Sequence, residues 1–247
     1  MVCCHDSHEI EWVHVTAEDL GQADGAGGGA STRSCSAAFE LAPMSHDLEL
    51  PCTADEARAR LVAGNERFLR GEARFPTVQK EVLAALAKAQ RPYATILGCS
   101  DSRVPPELVF DAGFGELFII RLAGNVVSPE VFGTLQYAGI HLRTPLFVVL
   151  GHEGCGAVQA ALRTKTAGAR QQSRIEVLMQ SIRPGIEDVD PALPPERALD
   201  AAVEANVRWT IRQLRDTPEA QAREVEGVMK LVGAVFELAS GRVRFLD

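Results

Sequence analysis

Two short stretches of the chain carry side chains that could bind a metal ion. The first contains Cys99, Asp101 and Arg103 at alternate positions, and the second contains His152 and Cys155. Two thiolates and one imidazole are a ligand set that zinc prefers, and three protein ligands leave a fourth position open, as catalytic zinc sites do. The sequence therefore predicts a zinc site at Cys99, His152 and Cys155 that performs hydrolysis or hydration. The alternative is a buried pair of thiols beside a core histidine.

The acidic residue in the first stretch has a possible partner close by in sequence. Asp101 could accept the hydrogen of a zinc-bound hydroxide, and the guanidinium of Arg103 could hold that carboxylate ionised and away from the metal through a bidentate pair. If the pair breaks, Asp101 is free to bind zinc and close the site. We therefore expect an Asp101–Arg103 dyad beside the metal.

The stretches that carry these residues follow apolar runs that are typical of buried strands. Such runs occupy residues 93–98, 116–120, 146–151, 228–236 and 243–246. Strands that alternate with helices form parallel sheets, and sites gather at the carboxyl ends of their strands. The last two runs are joined through Ser240-Gly241, which predicts a hairpin. We predict an α/β fold with a mainly parallel central sheet, flanked by helices, and an antiparallel C-terminal edge strand.

Helical patterns lie between these runs. Thr53 and Glu56 form a capping box at the start of one helix, and a second helix is predicted from Pro76 to about Gln90. Further helices are predicted after Pro105, over residues 129–143, from about Ala157, around residues 175–182, and over residues 195–214.

Composition excludes several classes of function. The chain has 247 residues, of which 46% are hydrophobic and 23% charged, as in ordinary globular proteins. Its net charge of −8, with no basic cluster, argues against a nucleic-acid surface. No apolar run reaches eighteen residues, and no basic region leads into an apolar one at the N-terminus, so we predict no membrane partner and a cytoplasmic location. The six cysteines are then expected to be ligands or free thiols.

The chain divides into two regions of different character. Residues 1–47 lack apolar periodicity and contain a glycine-rich stretch over residues 21–32. We predict a mostly disordered leader over residues 1–47 and a zinc-dependent catalytic α/β domain over residues 48–247.

On its motifs the chain resembles the β-class carbonic anhydrases over about residues 54–247. The resemblance is carried by the segments 99–105, 115–118, 123–125 with Arg121, 135–138, 149–158, 204–207 and 233–238 with Gly241. It implies reversible hydration of CO2 to bicarbonate and a proton by a zinc-bound hydroxide. One Zn²⁺ per subunit would be held by Cys99, His152 and Cys155, with Asp101 and Arg103 as the dyad that orients the hydroxide. It also implies four parallel strands with an added antiparallel strand.

The resemblance extends to the substrate pocket and to assembly. Gln90 matches a glutamine that offers a hydrogen bond to substrate, and Gly156 matches a glycine whose backbone N–H lies near it. Phe118, Ala123 and Tyr137 match residues that line an apolar CO2 pouch. The family's clefts lie at a dimer interface, so a homodimer or a tetramer is expected, with CO2 and bicarbonate as the small-molecule partners.

One feature of some family members is incomplete in this sequence. Their bicarbonate regulatory pocket uses a tryptophan, an arginine and a tyrosine, where this chain has Ile96, Arg121 and Phe236. We therefore predict no cooperative inhibition by bicarbonate, and a resting state at neutral pH in which Asp101 does not bind zinc.

Two other functions compete with CO2 hydration. The same fold and zinc site could hydrolyse carbon disulfide or carbonyl sulfide, which are linear molecules like CO2. The second competing function is a zinc-stabilised scaffold without turnover. A structural zinc site, however, needs neither an open ligand position nor a carboxylate beside it.

Overall fold

The core of the fold is a five-stranded sheet, seen in a computed structural model that describes residues 52–74, 83, 84, 86–167 and 174–246. The strands are β1 (Ala94–Gly98), β2 (Leu117–Arg121), β3 (Leu146–His152), β4 (Lys230–Phe236) and β5 (Val243–Leu246). They lie in the order β2-β1-β3-β4-β5. The first four strands are parallel and β5 is antiparallel to β4. The predicted fold class is confirmed, including the C-terminal hairpin.

Helices connect the strands at most of the predicted places. They are α1 (Ala54–Leu69), α2 (Pro106–Val109), α3 (Pro129–Ile140), α4 (Gly156–Ala167), α5 (Ile175–Ile182), α6 (Pro195–Arg215) and α7 (Pro218–Val225). Two 3₁₀ turns span Ala123–Asn125 and Arg183–Ile186. No prediction was made for α7, although Thr217 caps it by accepting a hydrogen bond from the N–H of Ala220. The predicted leader and most of the predicted helix from Pro76 to Gln90 lie outside the described residues.

The start of α1 shows how local sequence defines an element. The Thr53 N–H donates to Oε2 of Glu56 over 2.7 Å, and the Glu56 N–H donates to Oγ1 of Thr53 over 3.2 Å. Two N–H groups that have no partner inside the helix are satisfied in this way. The predicted capping box is confirmed.

The sheet has a hydrophobic core on each face. In β1, Ile96 packs in the cluster that includes Leu61 of α1, whereas its neighbour Leu97 packs in the cluster that includes Val203 of α6. Alternate residues of a strand point to opposite faces, so helices on both sides bury β1 along its full length. This burial explains why the strand runs are apolar throughout. None of the described helices has the length and apolar character needed to cross a membrane.

Candidate metal centre

Three potential ligands converge at the carboxyl edge of the sheet. Gly98, the last residue of β1, is in register with Leu150 of β3, so Cys99 and His152 leave adjacent strands at the same edge. Cys155 returns to this edge through a turn at Gly154, which has a positive φ of 62°. The ligand atoms of Cys99, His152 and Cys155 all lie within 4.8 Å of one another. All three side chains are buried, with exposed fractions of 5%, 0% and 1% in chain order.

The imidazole of His152 is oriented as a metal ligand would be. Its Nδ1 lies 2.9 Å from the backbone carbonyl oxygen of Glu153, which can only accept, so Nδ1 carries the hydrogen. The lone pair is then on Nε2, which is buried and has no hydrogen-bond partner in the described part of the chain. An unpartnered buried nitrogen beside two thiols fits zinc, and a second hydrogen bond that sets the tautomer is the usual support for a histidine ligand.

The two thiols differ in their electrostatic environment. Their sulfur atoms are 4.0 Å apart. A hydrogen bond from Cys155 lowers the pKa of Cys99 below its ordinary value despite burial, and the N–H of Gly124, 3.3 Å from Sγ of Cys99, acts in the same direction. The contact with Cys99, together with burial, raises the pKa of Cys155. The site therefore favours one thiolate by itself, and a divalent cation would stabilise the second.

Asp101 and Arg103 form a bidentate ion pair next to these ligands. Nε and Nη2 of Arg103 lie 2.9 and 2.7 Å from the two carboxylate oxygens, and the Arg103 N–H donates to Oδ1 over 3.0 Å. These hydrogen bonds hold the pKa of Asp101 well below its usual range. Oδ2 of Asp101 lies 3.9 Å from Nε2 of His152. An ionised carboxylate thus faces the ligand cluster without being bonded to it.

The 3₁₀ turn beside Cys99 is held by helix α6. The carbonyl oxygen of Gly124 accepts a hydrogen bond of 2.9 Å from Nδ2 of Asn206, and the carbonyl oxygen of Asn125 accepts one of 3.3 Å from Oγ1 of Thr210. Both α6 side chains are buried. Asn206 and Thr210 are not among the predicted site residues. The available signal was a pair of polar residues, four apart, on the otherwise apolar face of α6.

Comparison with known proteins identifies the family. The sequence model of the carbonic anhydrases matches residues 94–243. The carbonic anhydrase of Mycolicibacterium smegmatis is 39% identical over 187 residues, which cover 73% of this chain and 87% of that protein. This chain belongs to the β-class carbonic anhydrases. It is accordingly an enzyme of CO2 hydration, and the Cys-His-Cys cluster agrees with a family of zinc enzymes.

Solved β-carbonic anhydrases share the fold. The enzyme CafA of Aspergillus fumigatus is 27% identical with a TM-score of 0.62, over 78% of this chain and 91% of that one. A tetrameric β-carbonic anhydrase of Sordaria macrospora is 23% identical with a TM-score of 0.63, over 78% of this chain and 98% of that one. The sheet and its flanking helices are therefore those of a β-carbonic anhydrase.

The three positions that match the family's regulatory pocket serve the fold and the site loop here. Ile96 and Phe236 are buried in β1 and β4. Arg121 donates from Nε to the carbonyl oxygen of Cys99 over 2.8 Å and from Nη2 to that of Asp101 over 2.6 Å. Arg121 thereby supports the loop that carries a metal ligand and the dyad carboxylate. The absence of cooperative bicarbonate inhibition stays a prediction.

The five predicted pocket residues fall into three groups by their position in the structure. Ala123 begins the 3₁₀ turn that contacts Cys99, and Gly156 begins α4 directly after Cys155. Phe118 and Tyr137 face each other across β2 and α3, with ring centroids 6.2 Å apart, and Tyr137 is 46% exposed. Gln90 is exposed in the segment before β1, and no hydrogen bond among the described residues joins it to the ligand cluster.

Proposed function

We propose that this chain hydrates CO2 reversibly at a zinc ion bound by Cys99, His152 and Cys155, with Asp101 and Arg103 orienting the attacking water. The observation that carries the proposal is the ionised Asp101 carboxylate. It is held by three N–H groups of Arg103, with one oxygen 3.9 Å from the unpartnered Nε2 of His152. A structural zinc site has no use for such a carboxylate, whereas a hydration site needs an acceptor that orients water.

The role of each residue in the proposed reaction follows from these contacts. Zinc, when bound, supplies a Lewis acid that lowers the pKa of a water ligand towards neutrality. Asp101 accepts a hydrogen bond from the attacking water and so directs an oxygen lone pair away from itself, towards the substrate carbon. Arg103 keeps Asp101 ionised and occupies the lone pairs that would otherwise bind the metal. Arg121 and Gly124 hold the loop and the Cys99 thiolate in place.

We propose that the substrate pocket is completed by a second subunit. Phe118, Ala123 and Tyr137 would form an apolar wall that binds CO2 and excludes water, while Gly156 N–H and Gln90 would donate to a substrate oxygen. The exposure of Gln90 and Tyr137 in the single chain supports a cleft shared between subunits. Exposed apolar residues also support a homodimer or a tetramer, among them Phe114, which is 62% exposed. Sedimentation velocity of the zinc-loaded protein would measure this assembly.

Stopped-flow CO2 hydration by the zinc-loaded Asp101→Asn variant tests the catalytic role. Because positioned acid–base groups contribute about 10²–10⁴-fold, we expect a loss of at least about a hundredfold with zinc content unchanged. Ser102→Ala, which alters an exposed neighbour of the dyad, is the matched control and should retain activity. An Asp101→Asn variant as fast as the native enzyme would remove Asp101 from the mechanism.

The same assay separates the competing functions. Clear CO2 hydration at about pH 7 and again above pH 8 supports a site in which Asp101 stays paired with Arg103. Stoichiometric zinc with no CO2 hydration at either pH would overturn the proposal. Turnover of carbonyl sulfide or carbon disulfide would then indicate the hydrolase, and no turnover of any substrate would indicate a scaffold.

A further inference from the structure

A second concave site lies at the opposite end of the sheet from the metal centre. It is a groove of about 400 Å³ between α3 and α7, closed at its base by the first residues of β3 and β4. Its walls are largely apolar and include Phe132, Ile140, Phe147, Leu214 and Met229. We call it the α3–α7 groove. A volume of this size is within the usual range for small-molecule sites.

The groove is separate from the catalytic cleft. Phe147, at its base, is the second residue of β3, whereas His152 is the last residue of that strand. Five residues of extended chain place the two about 16 Å apart along the strand. A ligand in the groove would therefore leave the metal centre accessible.

Two nitrogens of one cation in the groove have no acceptor among the described residues. Nε and Nη2 of Arg223, on α7, are both buried and make no hydrogen bond. Gly139 of α3 lies beside this guanidinium, since a Cβ built there would be in ordinary contact with Nε at 3.4 Å. Guanidinium groups shielded from water are normally satisfied by an anion, since N–H groups without an acceptor are costly. The described part of the chain therefore supplies no acceptor for Nε and Nη2 of Arg223.

One carboxylate that lines the groove contacts a different residue. Glu219 lies one helical turn before Arg223 and lines the same groove, but its Oε1 accepts a hydrogen bond of 3.0 Å from Nε2 of Gln136. Glu226 attracts and Arg143 repels the Arg223 charge. Among the described residues, no ion pair joins Glu226 to Arg223. Glu219 thus places a negative charge in the groove that competes with a bound anion.

We propose that the α3–α7 groove binds a small organic carboxylate with an apolar body. The carboxylate pairs with the guanidinium of Arg223, which lines the groove and whose planar fork matches two carboxylate oxygens. Because Nε and Nη2 are buried, this pairing requires the Arg223 side chain to turn towards the ligand on binding. The apolar body lies against Phe132, Ile140 and Met229. Charge complementarity selects this class of ligand, because the groove offers one unsatisfied cation among apolar walls.

Octanoate is a suitable probe, and methionine NMR reports where it binds. The chain has four methionines, of which Met229 lines the groove and Met179 is buried in α5, outside the groove lining. With the zinc-loaded full-length protein labelled at its methionine methyl groups, octanoate should shift the Met229 signal saturably and leave Met179 unchanged. 1-Octanol, which lacks the charge, should bind at least about tenfold more weakly.

Three variants test the role assigned to each charge. Arg223→Gln should weaken octanoate binding at least about tenfold, because hydrogen bonds to charged groups are lost. Glu219→Gln should tighten binding, because it removes the competing carboxylate. Arg212→Gln makes the same change of charge at a residue that contacts Trp209 outside the groove, and should bind octanoate as the native protein does.

Three results would overturn the proposal. One is equal affinity of the native protein and Arg223→Gln. Another is a shift of Met179 in place of Met229. The third is no saturable shift up to about 10 mM octanoate, which corresponds to a site too weak to be specific. If the third result came with a change in sedimentation of Arg223→Gln, a second copy of the chain would be the occupant of the groove.

Discussion

Replacing Gly124 with alanine would perturb the turn that contacts the Cys99 sulfur. Gly124 has a φ of 71°, and a Cβ there would lie 2.8 Å from Cδ1 of Ile182 and 3.2 Å from Cβ of Ala157. A left-handed conformation costs an alanine about 1–2 kcal/mol. Ile182 is fully buried, so it cannot retreat into solvent, and overpacking of this kind costs about 1–3 kcal/mol. We expect the free energy of unfolding to fall by about 2–5 kcal/mol.

Alanine substitutions at two other glycines separate the conformational cost from the cost of overpacking. Urea denaturation of the zinc-loaded protein measures both. Gly71 has a φ of 69° and no neighbour within 4 Å of a Cβ, so Gly71→Ala carries the conformational cost alone. Gly133 lies within α3 with no such neighbour, so Gly133→Ala should stabilise the protein by about 0.5–1 kcal/mol. If Gly124→Ala is no more destabilising than Gly71→Ala, the reasoning from Ile182 and Ala157 is refuted.

The same variant also tests the hydrogen bond to the thiolate. The Gly124 N–H lies 3.3 Å from Sγ of Cys99, and alanine would displace it. Because a hydrogen bond to a charged group is worth about 1.5–3 kcal/mol, zinc affinity measured by chelator competition should fall at least about tenfold. Unchanged zinc affinity in a destabilised protein would show that this N–H does not stabilise the thiolate.

Two further perturbations test the interior of the protein. Asn206→Asp removes the side-chain N–H that donates to the carbonyl oxygen of Gly124. It should lower the free energy of unfolding by about 1–3 kcal/mol and weaken zinc binding. Thr210→Ser is the control, because it keeps the hydroxyl that donates to Asn125 and should retain zinc affinity. Burial raises the pKa of Tyr93 to about 12. Its contribution to stability is therefore complete below the ordinary tyrosine pKa of about 10 and is lost as pH rises towards 12. Tyr93→Phe should abolish a tyrosinate absorbance step near pH 12, and a step that survives this substitution would contradict the assignment.

The metal ligands could be inferred from the sequence because local signals define them. Cys99 and His152 each follow an apolar run, and parallel strands deliver the residues after them to one edge of the sheet. Asp101 and Arg103 are two residues apart, so their ion pair depends on one short loop. The fold class followed from the same alternation of runs and helical patterns.

The residues that support this site could not be inferred in the same way. The hydrogen bond from Asn206 to Gly124 joins positions 82 residues apart, and Arg121 reaches carbonyls on a neighbouring strand end. Such contacts depend on how helices and strands pack, whereas periodicity reports only which face of each element is apolar.

The sequence by itself determined which side chains could bind zinc and which strands would carry them, because ligand types and strand patterns are properties of short segments. The tertiary structure decided the order of the strands, the turn held by α6, and the groove in which Nε and Nη2 of Arg223 find no acceptor among the described residues. Whether a buried polar group from one segment finds a hydrogen-bond partner on a distant segment is decided only when the whole chain has packed.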